Sequence, residues 1–201
     1  MARLATMTVW DVQLGLAIHV KAPNGKYIVI DLGTGTLESG NSSPLRKRMF
    51  DNIAYMIITH PHLDHISDIL NFDINSPKIL QRAKSLTNEE VMRGVRDCDK
   101  AKFKKYCDIN DRYNSPVRYD DENNTENPDN YGGLEIQTFS TLVCDHSNFN
   151  NFSIITVFKL SGIKVVVCGD NEKDSFDVLM RRSDFKDAVR NADVLVAPHH
   201  G

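Results

Sequence analysis

The sequence lacks a long apolar stretch. No run approaches the roughly 18 residues that a membrane-spanning helix needs. The first residues, Met1–Thr6, also lack the apolar segment of a secretory signal peptide. We therefore expect a cytoplasmic protein without a membrane segment.

Cysteine is scarce as well. The chain contains four cysteines, and none of them belongs to a CxxC pair. This number is too small for a disulfide scaffold, so we expect reduced thiols. The cysteines are Cys98, Cys107, Cys144 and Cys168.

An overall excess of positive charge is absent too, because the formal net charge is −3 and the pI is about 6.1. The charge is unevenly distributed, however. Residues 76–118 contain eleven Lys and Arg against six acidic residues, and residues 120–135 add six acids. A run of this kind is usually a solvated helix face, but it is also the pattern of a surface that binds an anionic polymer.

The sequence does contain enough apolar residues for a core. With 201 residues, 41% of them hydrophobic, the chain is expected to form a single domain over 1–201, with a helical and loop insertion at about 76–131. Strand patterns and helix patterns follow one another along the chain, and this order predicts an α/β fold in which two sheets pack face to face between helices. The predicted strands are 7–10, 16–20, 26–31, 54–58, 134–139, 153–160, 164–168 and 194–197, and the predicted helices are 45–52, 65–72, 87–106, 174–182 and 183–192.

A dense cluster of metal-binding side chains follows the strand 54–58. His60 and His62 alternate around Pro61, so an extended backbone would point both imidazoles to one side. Asp64 and His65 come from the next turn and are placed to serve a second ion. The alternative is a His-rich surface loop, but such tracts do not follow a buried strand with spaced ligands.

Three more strand ends carry residues of the same type. Asp170 follows the strand 164–168, His199 and His200 follow the strand 194–197, and His146 follows an apolar pair. A single Asp or His at such a place is usually a turn or cap residue. The repetition of the arrangement favours one shared site.

The pattern His-x-His-x-Asp-His at residues 60–65 resembles the motif of the metallo-β-lactamase fold superfamily. Further stretches resemble its ComEC-like, DNA-uptake branch: 11–13, 28–33, 150–153, 168–170 and 198–201. The resemblance implies an αββα sandwich with a dinuclear site at one edge. The chain departs from that branch at 13–16, at Ser67 and Asp68, and after Gly201, where the family continues.

The resemblance also implies roles for individual residues. His60 and His62 would bind the first ion, with His146 as third ligand or, in its place, Asn148, Asn150 or Asn151. The second ion would be held by Asp64, His65 and one of His199 and His200, with Asp170 bridging both ions and Asp31 orienting a ligand imidazole. The residues given catalytic roles are Asp64, Asp170 and His200.

These expectations define a metal-dependent hydrolase that uses two divalent ions, Zn²⁺ or Mn²⁺, and a hydroxide bound to them. The ions and their ligands leave the site with a net positive charge, which favours an anionic substrate such as nucleic acid or a nucleotide. A phosphodiesterase or nuclease is therefore preferred. The alternatives are a lactam, lactone or thioester hydrolase, and a binding module that retains metal without turnover.

Overall fold

The computed structural model describes residues 4–34, 43, 45, 50 and 52–199. Its first sheet has five strands in the order β1-β2-β3-β4-β5. The first three strands pair antiparallel, whereas β4 runs parallel to both of its neighbours. The strands are β1 (Thr6–Val9), β2 (Ile18–Lys21), β3 (Tyr27–Ile30), β4 (Ile53–Ile58) and β5 (Ile79–Arg82).

The second sheet has four strands in the order β6-β7-β8-β9. Two antiparallel pairings join β6 to β7 and β7 to β8, and the last strand pairs parallel to β8. The turn between β7 and β8 contains Ser161 and Gly162, both at positive φ. The strands are β6 (Glu135–Phe139), β7 (Ile155–Leu160), β8 (Ile163–Val167) and β9 (Val194–Val196).

Short helices connect the strands. In the part of the chain that the structure describes, no helix is both long enough and apolar enough to cross a bilayer. The α-helices are α1 (Leu63–Ile66), α2 (Asn88–Met92), α3 (Lys100–Arg112), α4 (Lys173–Leu179) and α5 (Ser183–Val189), and the 3-10 helices are Ile69–Ile74, Pro128–Tyr131 and Phe149–Phe152.

The layers follow from the alternation of side chains along the buried strands. On β4, Met56 packs toward the helices α1 to α3, whereas Ile57 packs between the two sheets. On β7, Ile155 and Val157 pack outward against α4 and α5. The order of layers is thus helix, sheet, sheet, helix, which confirms the predicted αββα sandwich.

Parallel pairing brings the carboxyl ends of neighbouring strands to one edge of each sheet. The register pairs Ile30 of β3 with Ile57 of β4, so the residues that follow both strands are adjacent. In the second sheet, Val167 of β8 pairs with Val196 of β9. Most of the predicted site residues come shortly after one of these strand ends. The exceptions precede β7 in the chain, and they are His146, Asn148, Asn150 and Asn151.

The middle of the chain differs from the sequence prediction. The apolar pair in β5 was too short to be recognised as a strand, yet it pairs with the buried β4. The capping box of Thr87 and Glu90 is present, but its helix ends at Met92 because Gly94 adopts φ +72°. A separate helix, α3, follows, and Cys98 in the connection between α2 and α3 is exposed.

Two other predicted helices also change. The segment predicted as one helix over 65–72 forms α1 and then the 3-10 helix Ile69–Ile74. The helix predicted over 183–192 ends earlier, at Val189, and its N-cap residue is Arg182, which makes no side-chain capping hydrogen bond. Most of the helix predicted over 45–52 lies outside the described residues.

Candidate metal centre

Asp31 forms the base of the site. It follows β3 with a left-handed backbone, at φ +56°, and is completely buried. Its Oδ1 accepts a hydrogen bond from Thr59 N at 2.7 Å, and its Oδ2 accepts from Thr59 Oγ1 at 2.6 Å and pairs with His65 Nδ1 at 2.7 Å. The predicted hydrogen bond between Asp31 and an imidazole is therefore present, and it leaves His65 Nε2 directed away from Asp31.

His60 and His62 face each other across the extended turn at Pro61. The distance between His60 Nε2 and His62 Nδ1 is 2.9 Å. On its other side, His60 Nδ1 lies 3.1 Å from Ser153 Oγ. The ring of Phe149 stacks on His62 with centroids 5.8 Å apart. These contacts fix the orientation of both imidazoles and direct one nitrogen from each toward the same point.

Asp170 lies between the two groups of histidines. Its Oδ1 is 3.2 Å from His65 Nε2, and its Oδ2 is 4.0 Å from His60 Nε2. Asp64 completes this face, with Oδ2 at 3.6 Å from His65 Nε2 and a side chain that is 36% exposed. Donor atoms of His60, His65 and Asp170 all lie within 4.8 Å of one another, as ligands around a metal ion do.

Glycine permits the backbone to approach Asp64 closely. A Cβ on Gly15, which has φ +100°, would overlap the carbonyl oxygen of Asp64. A Cβ on Gly33 would lie 2.9 Å from the same oxygen, which is also too close. Gly33 therefore allows the chain after β3 to pass close to Asp64.

The electrostatics of the site favour positive charge at its centre. Burial by itself would lower the pKa of His65, but Asp31 and Asp170 outweigh that effect and raise the pKa to about 10. The neighbouring His62 behaves differently, because burial lowers its pKa. In the metal-free protein, the carboxylates therefore hold a proton on His65, in a position where a divalent cation would satisfy them equally well.

The structure does not bring His146 into this cluster. His146 Nδ1 pairs with Glu90 Oε1 at 2.8 Å, and its side chain is 44% exposed. The reason is local: Asp145 Oδ1 accepts a hydrogen bond from Ser147 N at 2.9 Å and forms a surface turn that directs His146 toward α2. Of the two roles considered for this region, the geometry supports an asparagine near the cluster instead of His146.

Asn150 is that residue. It is buried, and it lies close enough to His62 to act on the pKa of that imidazole. Its Nδ2 donates to Glu172 Oε1 at 2.8 Å, whereas its buried Oδ1 has no hydrogen-bond partner among the described residues. Of the other two asparagines, Asn148 also donates to Glu172, and Asn151 accepts from the backbone at the start of α4.

Glu172 was missed in the sequence, although it follows Asp170 by only two positions. Its Oε2 accepts from Asn148 Nδ2 at 2.9 Å, and these amide bonds lower its pKa. Glu172 Oε1 also lies 3.5 Å from His199 Nδ1. His199 Nε2 is 3.4 Å from Asn150 Nδ2, so the structure places His199 beside the cluster, whereas His200 and Gly201 lie outside the described residues.

The donor atoms present suit a divalent metal. They are imidazole nitrogens and carboxylate oxygens, and no described cysteine takes part in the cluster. The buried Asn150 Oδ1 offers a further oxygen, and a buried polar atom without a partner is rare enough to need an explanation. The residues of the site therefore fit a metal ion.

A groove opens beside His62. It has a volume of about 730 Å³ and lies between α2, the connection to α3 and residues 145–149. Its walls include two aromatic rings, Phe103 and Phe149, and two cationic side chains, Arg93 and Arg96. A separate, smaller cavity of about 260 Å³ lies against Asp170. Residues of the candidate site thus line two cavities, His62 the groove and Asp170 the smaller one.

The comparisons with known proteins agree with this geometry. A family model described as the metallo-beta-lactamase superfamily matches residues 12–135. A candidate metallo-beta-lactamase from Thermotoga maritima has a similar solved structure, with 15% identity, a TM-score of 0.52, and coverage of 97% of this chain and 96% of that one. A B3 metallo-beta-lactamase with an active-site glutamic acid is 14% identical, with a TM-score of 0.57, over 99% of this chain and 78% of that one. No curated protein sequence matches the chain.

Proposed function

The chain belongs to the metallo-beta-lactamase superfamily, and from this premise we propose that it is a metal-dependent phosphodiesterase of nuclease type with a dinuclear centre. At identities of 14% and 15%, the similar solved structures establish the fold and leave the substrate open. The proposed activity therefore rests on the site and on the groove beside it.

The described residues divide into two ligand groups. His60 Nε2, His62 Nδ1 and Asn150 Oδ1 would hold one ion. His65 Nε2 and Asp64 would hold the other, and Asp170 would contact both through its separate oxygens. His199 or His200 would complete the second group. Two bound ions, Zn²⁺ or Mn²⁺, would supply a hydroxide nucleophile at neutral pH and neutralise charge that develops on the phosphoryl oxygens.

The residues around the ligands have separate tasks. Asp31 and Ser153 would orient His65 and His60 through the imidazole nitrogen that does not face the cluster. Asp64 is the exposed carboxylate of the group, so its Oδ2 is the atom placed to carry a proton toward a leaving group. The buried Asp170 would instead hold the two ligand groups at a fixed distance from each other, because one of its oxygens lies near His60 and the other near His65.

One observation favours a phosphodiester over a neutral carbonyl substrate. In the groove beside His62, the described acidic residues are engaged: Glu90 pairs with His146, Asp99 pairs with Arg96, and Asp145 accepts from Ser147. The side chain of Arg93 is exposed there, and its guanidinium has no hydrogen bond or ion pair with any described residue. An unpaired guanidinium beside two aromatic rings suits a strand of phosphates and bases.

The test is a substrate panel on the Zn²⁺- or Mn²⁺-loaded protein. We expect cleavage of bis-p-nitrophenyl phosphate and of single-stranded DNA, and loss of both activities in Asp170→Ala. Nitrocefin and an acyl-lactone serve as the carbonyl arm. A metal-loaded protein that is inert toward every phosphodiester would refute the proposal, whether it turned over the carbonyl substrates or nothing at all.

The contribution of the groove can be measured separately. Arg93→Ala should raise the KM for single-stranded DNA by about 3- to 10-fold, because one solvent-exposed hydrogen bond of ordinary strength is lost. The same variant should leave bis-p-nitrophenyl phosphate turnover unchanged, because that small substrate does not reach Arg93. Arg181→Ala is the matched control, since Arg181 is exposed at the end of α4 and does not line the groove. Equal KM values for Arg93→Ala and the control would exclude this binding mode.

A further inference from the structure

The side chain of Glu172 joins two segments at the edge of the candidate metal centre. Glu172 is the N-cap residue of α4, and its carboxylate reaches the 3-10 helix Phe149–Phe152. Its two oxygens accept from different amides, Asn148 at Oε2 and Asn150 at Oε1. No sequence pattern pointed to Glu172, and the ligand groups described above do not include it.

These contacts determine which way the Asn150 carboxamide faces. A carboxylate has no hydrogen to donate, so only the NH2 group of Asn150 can face Glu172. The oxygen of Asn150 must then point the other way, and it is the buried Oδ1 that has no hydrogen-bond partner among the described residues. The side chain is close to His62, which belongs to the first ligand group.

Asn148 reinforces this arrangement. Its Oδ1 accepts a hydrogen bond from Asn150 N at 3.2 Å, so its own NH2 group is left to donate to Glu172. If the carboxamide of Asn148 or Asn150 rotated by 180°, it would lose its hydrogen bond to Glu172. Glu172 Oε1 also lies 3.5 Å from His199 Nδ1.

We propose that Glu172 is a positioning residue that turns the Asn150 oxygen toward the ion held by His60 and His62. The neutral amide oxygen of Asn150 would then be the third ligand of this ion, in place of the imidazole of His146. The inference rests on the dinuclear centre proposed above, but it does not depend on the substrate.

The experiment is calorimetric titration of the metal-free protein with Zn²⁺. Glu172→Gln leaves a single acceptor oxygen for two amides, so the ion held by His60 and His62 should bind about 10- to 100-fold more weakly. The other ion should lose less affinity, because Glu172 lies near only one candidate member of its group, His199. Glu126→Gln is the control, because Glu126 is exposed and its side chain has no contact to the site. The thermal midpoint of the metal-free protein should be the same in both variants, which a merely structural role would not predict.

A compensating pair tests orientation directly. In the double variant Asn150→Asp with Glu172→Gln, the Gln amide can donate to one oxygen of the new carboxylate and leave the other facing the ion. We expect this pair to recover the affinity lost in Glu172→Gln, at least in part. Wild-type affinity for both ions in Glu172→Gln, equal weakening of both, or no recovery in the pair would each overturn the inference.

The outcomes also separate this inference from the proposed function. A protein that binds two ions, shows the pattern above and cleaves no phosphodiester would refute the phosphodiesterase and support the role of Glu172. A wild-type protein that binds fewer than two ions would overturn both.

Discussion

His65 and Asn150 both direct a donor atom toward the candidate metal centre, but they are held there in different ways. His65 is completely buried and receives its orientation from Asp31, at the end of the neighbouring strand. Asn150 belongs to a 3-10 helix between a surface turn and β7, and it receives its orientation from Glu172, at the start of α4. The first support is part of the sheet core, whereas the second is a contact between connecting segments.

The comparison shows where the site can vary without loss of the fold. Asp31, Thr59 and His65 are all buried, and any change there removes a partner from a buried charged or polar group. Around Asn150, the partners Glu172 and His199 are partly exposed, so water can replace a lost contact. We expect substitutions in the first group to affect stability and metal binding together, and those in the second group to affect metal binding alone.

Asp31→Asn should have the largest effect. It removes the carboxylate that pairs with the buried His65, and loss of one member of such a pair costs about 3 kcal/mol of the free energy of unfolding. Asparagine tolerates the left-handed backbone at this position, so the change isolates the charge. Chemical denaturation of the metal-free protein at neutral pH measures the effect, and metal affinity should fall by about 10- to 100-fold.

The sign of the pH dependence provides a check on this variant. Because the folded-state pKa of His65 is raised to about 10, its pairing stabilises the wild-type protein fully below about pH 6.5, the ordinary value. That stability is lost as the pH rises through about 10. The difference between wild type and Asp31→Asn should therefore shrink toward alkaline pH. A difference that grows above pH 8 would contradict the role given to the pair.

Gly15→Ala should have a smaller effect on the same side of the site. The new Cβ would overlap Asp64 O, and φ +100° is strained for any residue with a side chain. We expect a loss of about 2 kcal/mol in the free energy of unfolding, by the usual cost of such strain and overlap, together with weaker metal binding through displacement of Asp64.

Gly25→Ala is the matched control for Gly15→Ala. Gly25 has φ +89°, and nothing lies within 4 Å of its added Cβ. It therefore reports the backbone strain alone. If both variants lost the same stability and both bound metal like the wild type, the close approach to Asp64 would have no consequence for the site.

The His65 side of the site could be predicted from the sequence. His60, His62, Asp64 and His65 lie within six residues, and the β-strand before them is a continuous apolar run, so local pattern was sufficient. Asp31 and Asp170 were identifiable because each lies at or shortly after the end of an apolar strand. The αββα layers followed from the order of strand and helix patterns.

The Asn150 side of the site could not be predicted in this way. The choice between His146 and an asparagine depends on the turn at Asp145 and on the distant Glu172, and neither contact is visible as a spacing. Likewise, β5 is recognised as a strand only because β4 pairs with it. Both the orientation of Asn150 and the formation of β5 depend on contacts between segments that are far apart in the chain.

His146→Ala should have the smallest effect and bears directly on that choice. Its partner Glu90 keeps its bonds to Thr87, and an exposed ion pair of this kind contributes little to the free energy of unfolding. We expect the variant to bind both ions with wild-type affinity, because His146 pairs with Glu90 and not with a residue of the cluster. His62→Ala, by contrast, should lose one ion in the same titration. Loss of an ion in His146→Ala would show that the surface turn rearranges when metal binds and would return His146 to the first ligand group in place of Asn150.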